Sequence, residues 1–202
     1  MSDPDVLLEE TEDREGPFEF AIVGDLSESE ADLSEKILSV PIGGECTIFF
    51  DSPGGSVYSA LSLMTLIATR QIRATGIVTG ECSSAAIWPF AACCYRQVTP
   101  FSVMLFHRMK WQSEEQVGLR EASEWARHFG QLEGEMDALL TRFFGTAINQ
   151  VEQWIQESRY ISGPELVAAG LGTSMLAHWA WRAPCARAGW PWRPCWLLLG
   201  TM

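Results

Sequence analysis

Apolar and polar positions along the chain change period several times, and each change marks an element. FEFAIV (Phe18 to Val23) reads as a first strand, closed by the turn pair Gly24 and Asp25. Ser27 with Glu30 has capping-box spacing, and Leu33, Ile37 and Val40 follow three or four residues apart, so a helix is predicted up to PIGGE. CTIFF (Cys46 to Phe50) is a short apolar run and reads as a buried strand. After the turn-rich DSPGGS, Val57, Ala60, Leu61, Met64 and Ala68 return to helical spacing. IRATGIV is the next strand and leads into GECSSAAIW; VMLF (Val103 to Phe106) is another and ends at His107. A long helix is predicted from about Ser113 to Phe144, with Trp125, Phe129, Leu132, Met136, Leu139 and Phe143 on one face, and a shorter one from Asn149 to Gln156. Ser162, Glu165 and Gly170 then supply a capping box and a glycine stop around PELVAA. Strands and helices alternate without an internal repeat, which predicts an α/β fold with a mostly parallel sheet.

Both ends depart from this pattern. Residues 1–16 are acidic and predict a disordered tail; they lack the basic start and apolar run of a secretory signal. Residues 173–202 hold five of the nine tryptophans, two cysteines and three arginines, with no acid and no regular period. That composition suits neither a disordered tail nor a core element. An apolar patch for a partner or a membrane surface is one reading. We favour another, that this segment is not the one the fold was selected with, as after a shift of reading frame. Sequencing the coding DNA tests it; an intact frame together with loss of folding on truncation at Gly172 ends the idea.

The 202 residues suffice for one domain with a sizeable core, and the net charge of −12 disfavours nucleic acid and anionic membranes as partners, because phosphates are repelled. No apolar run is long enough to span a bilayer. The six cysteines form no CxxC pair and no zinc-finger spacing, so free thiols in a reducing cytoplasm are expected, with no metal and no organic cofactor.

Three stretches could carry chemistry. Ser83 and Ser84 sit where a strand turns into a helix, and a helix start offers free N–H groups to a developing oxyanion. Taken alone, a serine there is more simply a helix cap. The glycines of DSPGG, Gly54 and Gly55, permit close backbone approach, although a lone PGG is usually only a turn. His107 ends an apolar strand. In a parallel sheet, sites form at the carboxyl ends of strands, so the three stretches are expected to converge. His128 and His178 have no such setting.

The ordered set SPGG, then G-x-x-x-S with small residues after it, then an apolar strand ending in histidine, resembles the proteolytic subunit of the Clp protease. YISGPELVAAGLG (Tyr160 to Gly172) is similar to that family's segment before its Gly-Leu pair, and the resemblance spans about residues 18–172. It implies a ClpP/crotonase-like spiral of ββα units over residues 17–172, with a long helix after the histidine strand. It implies peptide-bond hydrolysis of peptides or unfolded proteins, in homo-oligomeric rings served by an AAA+ ATPase that alone uses ATP. Ser84 would be the nucleophile, His107 the general base, and the N–H groups of Gly55 and Ala85 the oxyanion hole.

Three departures stand out. The family's acid position is occupied by Ser158, with Glu157 one residue earlier, so Glu157 is the expected third member. Pro89 falls one turn into the predicted nucleophile helix and should kink it or delay its start. HRMKWQSEEQ lacks the glycine-rich turn that helps such rings stack. Other readings are a catalytically weak or inactive ring subunit or peptide-binding protein, a Ser–Lys peptidase using Lys110, and a crotonase-like acyl-CoA enzyme.

Overall fold

A computed structural model describes residues 17–111, 116–145 and 148–175. The acidic segment 1–16, most of the tryptophan-rich segment 173–202, His178, Cys185 and Cys195 therefore lie outside the described residues. The elements run β1 (Phe18–Asp25), α1 (Leu26–Ser39), β2 (Glu45–Gly54), α2 (Val57–Thr69), β3 (Arg73–Cys82), a 3-10 turn (Ser84–Ala86) and α3 (Ile87–Ala91). They continue with β4 (Tyr95–Val98), β5 (Val103–Phe106), α4 (Leu119–Phe144), α5 (Ile148–Glu157), β6 (Arg159–Ser162), α6 (Gly163–Ala168) and β7 (Thr173–Ser174).

Strands β1, β2, β3, β4 and β7 pair in that order and all in parallel. β5 pairs in parallel with the end of β3 through Glu81 and Val103, then antiparallel with β6. The α/β class and the mostly parallel sheet are as expected. Parallel strands need covered faces. Ile48 and Phe50 of β2, with Leu33 and Ile37 of α1, Leu63 and Ile67 of α2 and Phe90 of α3, belong to one buried cluster. Phe50 meets Phe90 edge-on at 5.4 Å between ring centres, and Phe106 meets Trp154 at 5.3 Å. No described helix is long and apolar enough to cross a membrane.

Some expectations need correction. Ser27 does not cap α1. Asp25 does, accepting from Ser27 N–H at 2.7 Å, while Glu30 accepts from Ser59 on α2. α4 begins at Leu119 rather than near Ser113. Met136 is buried as expected, but Leu140 and Phe144 are buried in place of Leu139 and Phe143, and Trp125 and Phe129 are only half-buried. β4 and β6 were not foreseen, and the sheet runs two residues past Gly172, where Thr173 and Ser174 pair with Gln97 and Val98. Pro89 acts as expected: a 3-10 turn precedes α3, which starts at Ile87. As the third residue of α3, Pro89 lies in the first turn, where a missing N–H costs little. The capping box of Ser162 and Glu165 is present in full.

Candidate active site

The carboxyl ends of β2, β3 and β5 meet, and one buried serine fastens them. Ser83 keeps an extended backbone after β3. Its N–H donates to Ser52 O on β2 at 3.0 Å, and its Oγ accepts from Leu105 N–H on β5 at 3.0 Å. It makes no side-chain bond to the turn that follows, so the helix-cap reading fails there. Ser83 is a brace between strands.

Ser84 is different. Its φ is +52°, in the left-handed region that costs a serine ~1–3 kcal/mol. From Cys82 to Ile87 every residue is buried except Ser84. A sharp strand-to-helix turn with one accessible hydroxyl at its crest is the geometry of a nucleophile elbow. Cys82 does not compete for the role: burial, then neighbouring Cys93 and Glu81, push its thiol well above the ordinary range, so it stays protonated.

The glycine pair explains how the turn is tolerated. Gly54 has φ +109°, and a Cβ there would fall 2.8 Å from Ser84 Cβ and 2.9 Å from both Ala85 N and Ser83 O. Only hydrogen fits between β2 and the serine turn. Gly55, φ +138°, lies against the Asp25 carboxylate in the same way. The ladder register of β1 with β2 breaks between Val23 and Asp25, and that of β2 with β3 between Phe50 and Ser52. Such irregularities collect beside active sites because they re-aim backbone groups.

His107 follows β5 and is half-buried. Its Nδ1 lies 2.6 Å from Arg108 O. A carbonyl only accepts, so Nδ1 carries the proton of the neutral ring and the lone pair is left on Nε2. No hydrogen bond joins Ser84 to His107 among the described residues, as is common in substrate-free sites.

No hydrogen bond joins Glu157 to His107 among the described residues. Glu157 is exposed, and its Oε1 accepts from Gln153 Nε2 at 2.7 Å along its own helix. Ser158 ends α5 with φ +52° and donates its N–H to Ile155 O. The antiparallel β5–β6 register ends at the pair of Phe106 with Arg159, so His107 and Ser158 each flank its last pair. Lys110 is exposed on the loop beyond His107, and His128 hydrogen-bonds Tyr58 Oη at 2.8 Å between α4 and α2.

Sequence reasoning missed Arg108 and Glu133. The Arg108 guanidinium reaches Glu133 Oε2 on α4 at 2.8 Å and Gln156 Oε1 on α5 at 3.2 Å. Glu133 Oε1 also accepts from Met109 N–H at 2.8 Å. An acid among Phe129, Leu132 and Met136, on the apolar side of the helix, was the available signal. Beside Arg108 a cavity of about 480 Å³ opens between α4 and α5, lined by Asp137, Thr141, Val151, Ile155 and Gln156 among others. Burial, then Glu133 and Glu152, raise the Asp137 carboxyl to about 6, with Arg108 opposing.

A family model described as Clp protease matches residues 42–178. That is well over half of the 202 residues and includes both glycines, the serine turn, His107 and Ser158. The strand ends, the strained serine turn and the histidine strand thus lie within the matched span, and the chain belongs to the Clp protease family.

Proposed function

We propose that the protein is a serine endopeptidase acting on peptides or unfolded proteins. His107 Nε2 takes the proton of Ser84 Oγ as the oxygen attacks the scissile carbonyl carbon. The carbonyl oxygen becomes an oxyanion held by the N–H groups of Gly55 and Ala85. The tetrahedral intermediate collapses, His107 protonates the leaving amine, and an acyl-Ser84 ester remains. Water, deprotonated by His107, then releases the acid product and restores Ser84. The observation that carries this reading is the left-handed Ser84, the one accessible residue of its turn, packed against Gly54.

The family points to oligomeric assembly; a closed homo-oligomeric ring fed by an AAA+ ATPase is part of the proposal, as is a cytoplasmic location. The reaction needs no cofactor in this scheme. A second reading, a weak or inactive ring subunit that binds peptide, is favoured by one observation: the residue before the Arg159–Phe106 pair beside His107 is an uncharged serine, Ser158.

Fluorogenic peptides and an unfolded protein substrate test the activity. The wild-type chain should hydrolyse them, and Ser84→Ala and His107→Ala should each fall to the uncatalysed background. Hydrolysis that survives Ser84→Ala removes Ser84 from the mechanism. No hydrolysis by the wild-type chain, with or without an ATPase, leaves the second reading.

A further inference from the structure

We infer that Glu133 is the acid that supports His107, acting through the peptide group between Arg108 and Met109. The C=O and N–H of that peptide belong to one planar, conjugated unit. Its oxygen, Arg108 O, faces His107 Nδ1 at 2.6 Å, and its nitrogen, Met109 N, donates to Glu133 Oε1 at 2.8 Å. The chain of contacts therefore runs carboxylate, amide, imidazole. A carboxylate that accepts from an amide N–H draws the proton towards itself and enriches the amide oxygen, which becomes a stronger acceptor. The Arg108 carbonyl then holds Nδ1–H as a carboxylate would, with part of the charge supplied from one peptide away.

This inference rests on the peptidase reading and replaces neither Ser84 nor His107 in it. Glu133 is a positioning residue: it acts on the imidazole through the amide. Its other oxygen takes the Arg108 guanidinium, which also reaches Gln156, so the loop after His107 is fastened to α4 and α5 together. Arg108 neutralises part of the Glu133 charge, so the relayed field is weaker than that of a carboxylate in direct contact. It supplies support for the imidazole that neither Glu157 nor Ser158 provides here.

The test compares Glu133→Gln with the full-length wild-type chain, using a fluorophosphonate probe and imidazole 15N spectra. Glutamine keeps the shape and removes the charge. Labelling of Ser84 should slow by about tenfold, the size of one strengthened hydrogen bond. The 15N spectra should show neutral His107 protonated at Nδ1 in the wild type and a shift towards the Nε2-protonated form in Glu133→Gln. Ser158→Asp in the Glu133→Gln background should restore both the rate and the Nδ1-protonated form, since it supplies a carboxylate directly. Glu135→Gln, an exposed change two residues along α4, controls for loss of charge alone and should leave both readings unchanged. An unaltered His107 spectrum in a folded Glu133→Gln variant overturns the inference, as does an undiminished labelling rate where the wild-type chain is labelled. The spectra report on His107 whether or not Ser84 is labelled, so failure of the peptidase reading is seen separately.

Discussion

Each residue around Ser84 has a separate duty, and the duties can be tested one at a time. Gly54 admits the serine turn because it has no side chain and can hold φ +109°. Gly54→Ala should destabilise the protein by ~2 kcal/mol or more and abolish labelling of Ser84, since the new Cβ would overlap Ser84 Cβ and Ala85 N. Chemical denaturation and probe labelling measure the two effects, and a stable, fully labelled variant would show that the close approach is not needed. Ser158→Asp in the otherwise wild-type chain should accelerate labelling roughly tenfold or more, because a direct carboxylate stabilises the imidazolium better than a carbonyl. Glu157→Gln should leave the rate within about twofold, as its carboxylate bonds to Gln153. The reverse ranking would restore Glu157 as the third member.

Among the elements, the pairing of α4 with α5 sets the chemistry beside the site. The Asp137 carboxyl is raised to about 6, first by burial and then by Glu133 and Glu152. Its folded pKa lies above that of an unfolded aspartate, about 3.9, so the folded state binds more protons between those values. Stability therefore falls as pH rises from about 4 to 6, and the penalty is fully present above that window. Asp137→Asn removes it. The variant should be more stable than wild type at about pH 7.5, by up to ~1 kcal/mol after solvent screening, and equal near pH 4. Thermal melts at the two pH values measure this; a variant that gains nothing at neutral pH would place Asp137 in a better-solvated setting. The first half of α4 is held differently. Trp111 packs edge-on against Trp125 at 4.7 Å and stacks near Phe129 at 6.1 Å, so a few aromatic contacts hold a segment whose buried core residues begin at Met136.

For the whole molecule, much of the layout was legible because apolar periodicity and turn chemistry agree over β1 to α2, β3, β5 and α6. β4 was not, because YRQV is short, polar and exposed at its first residue; partners on both sides, β3 and β7, make it a strand. β6 was missed for a similar reason: RYIS is short, exposed at its first two residues and dependent on β5. The serine, the glycines and His107 could be found because strand ends are readable from sequence. Glu133 was marked only by an acid on the apolar side of a helix; its duty depends on the chain returning 24 residues later to the loop after His107, which no local pattern shows. The single chain also leaves Phe101 and Tyr160 well exposed, at 87% and 63%, as an assembling subunit would. Sedimentation should give one species several times the mass of a chain; a monomer at micromolar concentration would count against the proposed ring. The most direct test of the central claim is the intact mass after treatment with a fluorophosphonate. One adduct per chain is expected, mapped to Ser84 and lost in Ser84→Ala and His107→Ala. An unmodified chain, or an adduct that persists in Ser84→Ala, would contradict it.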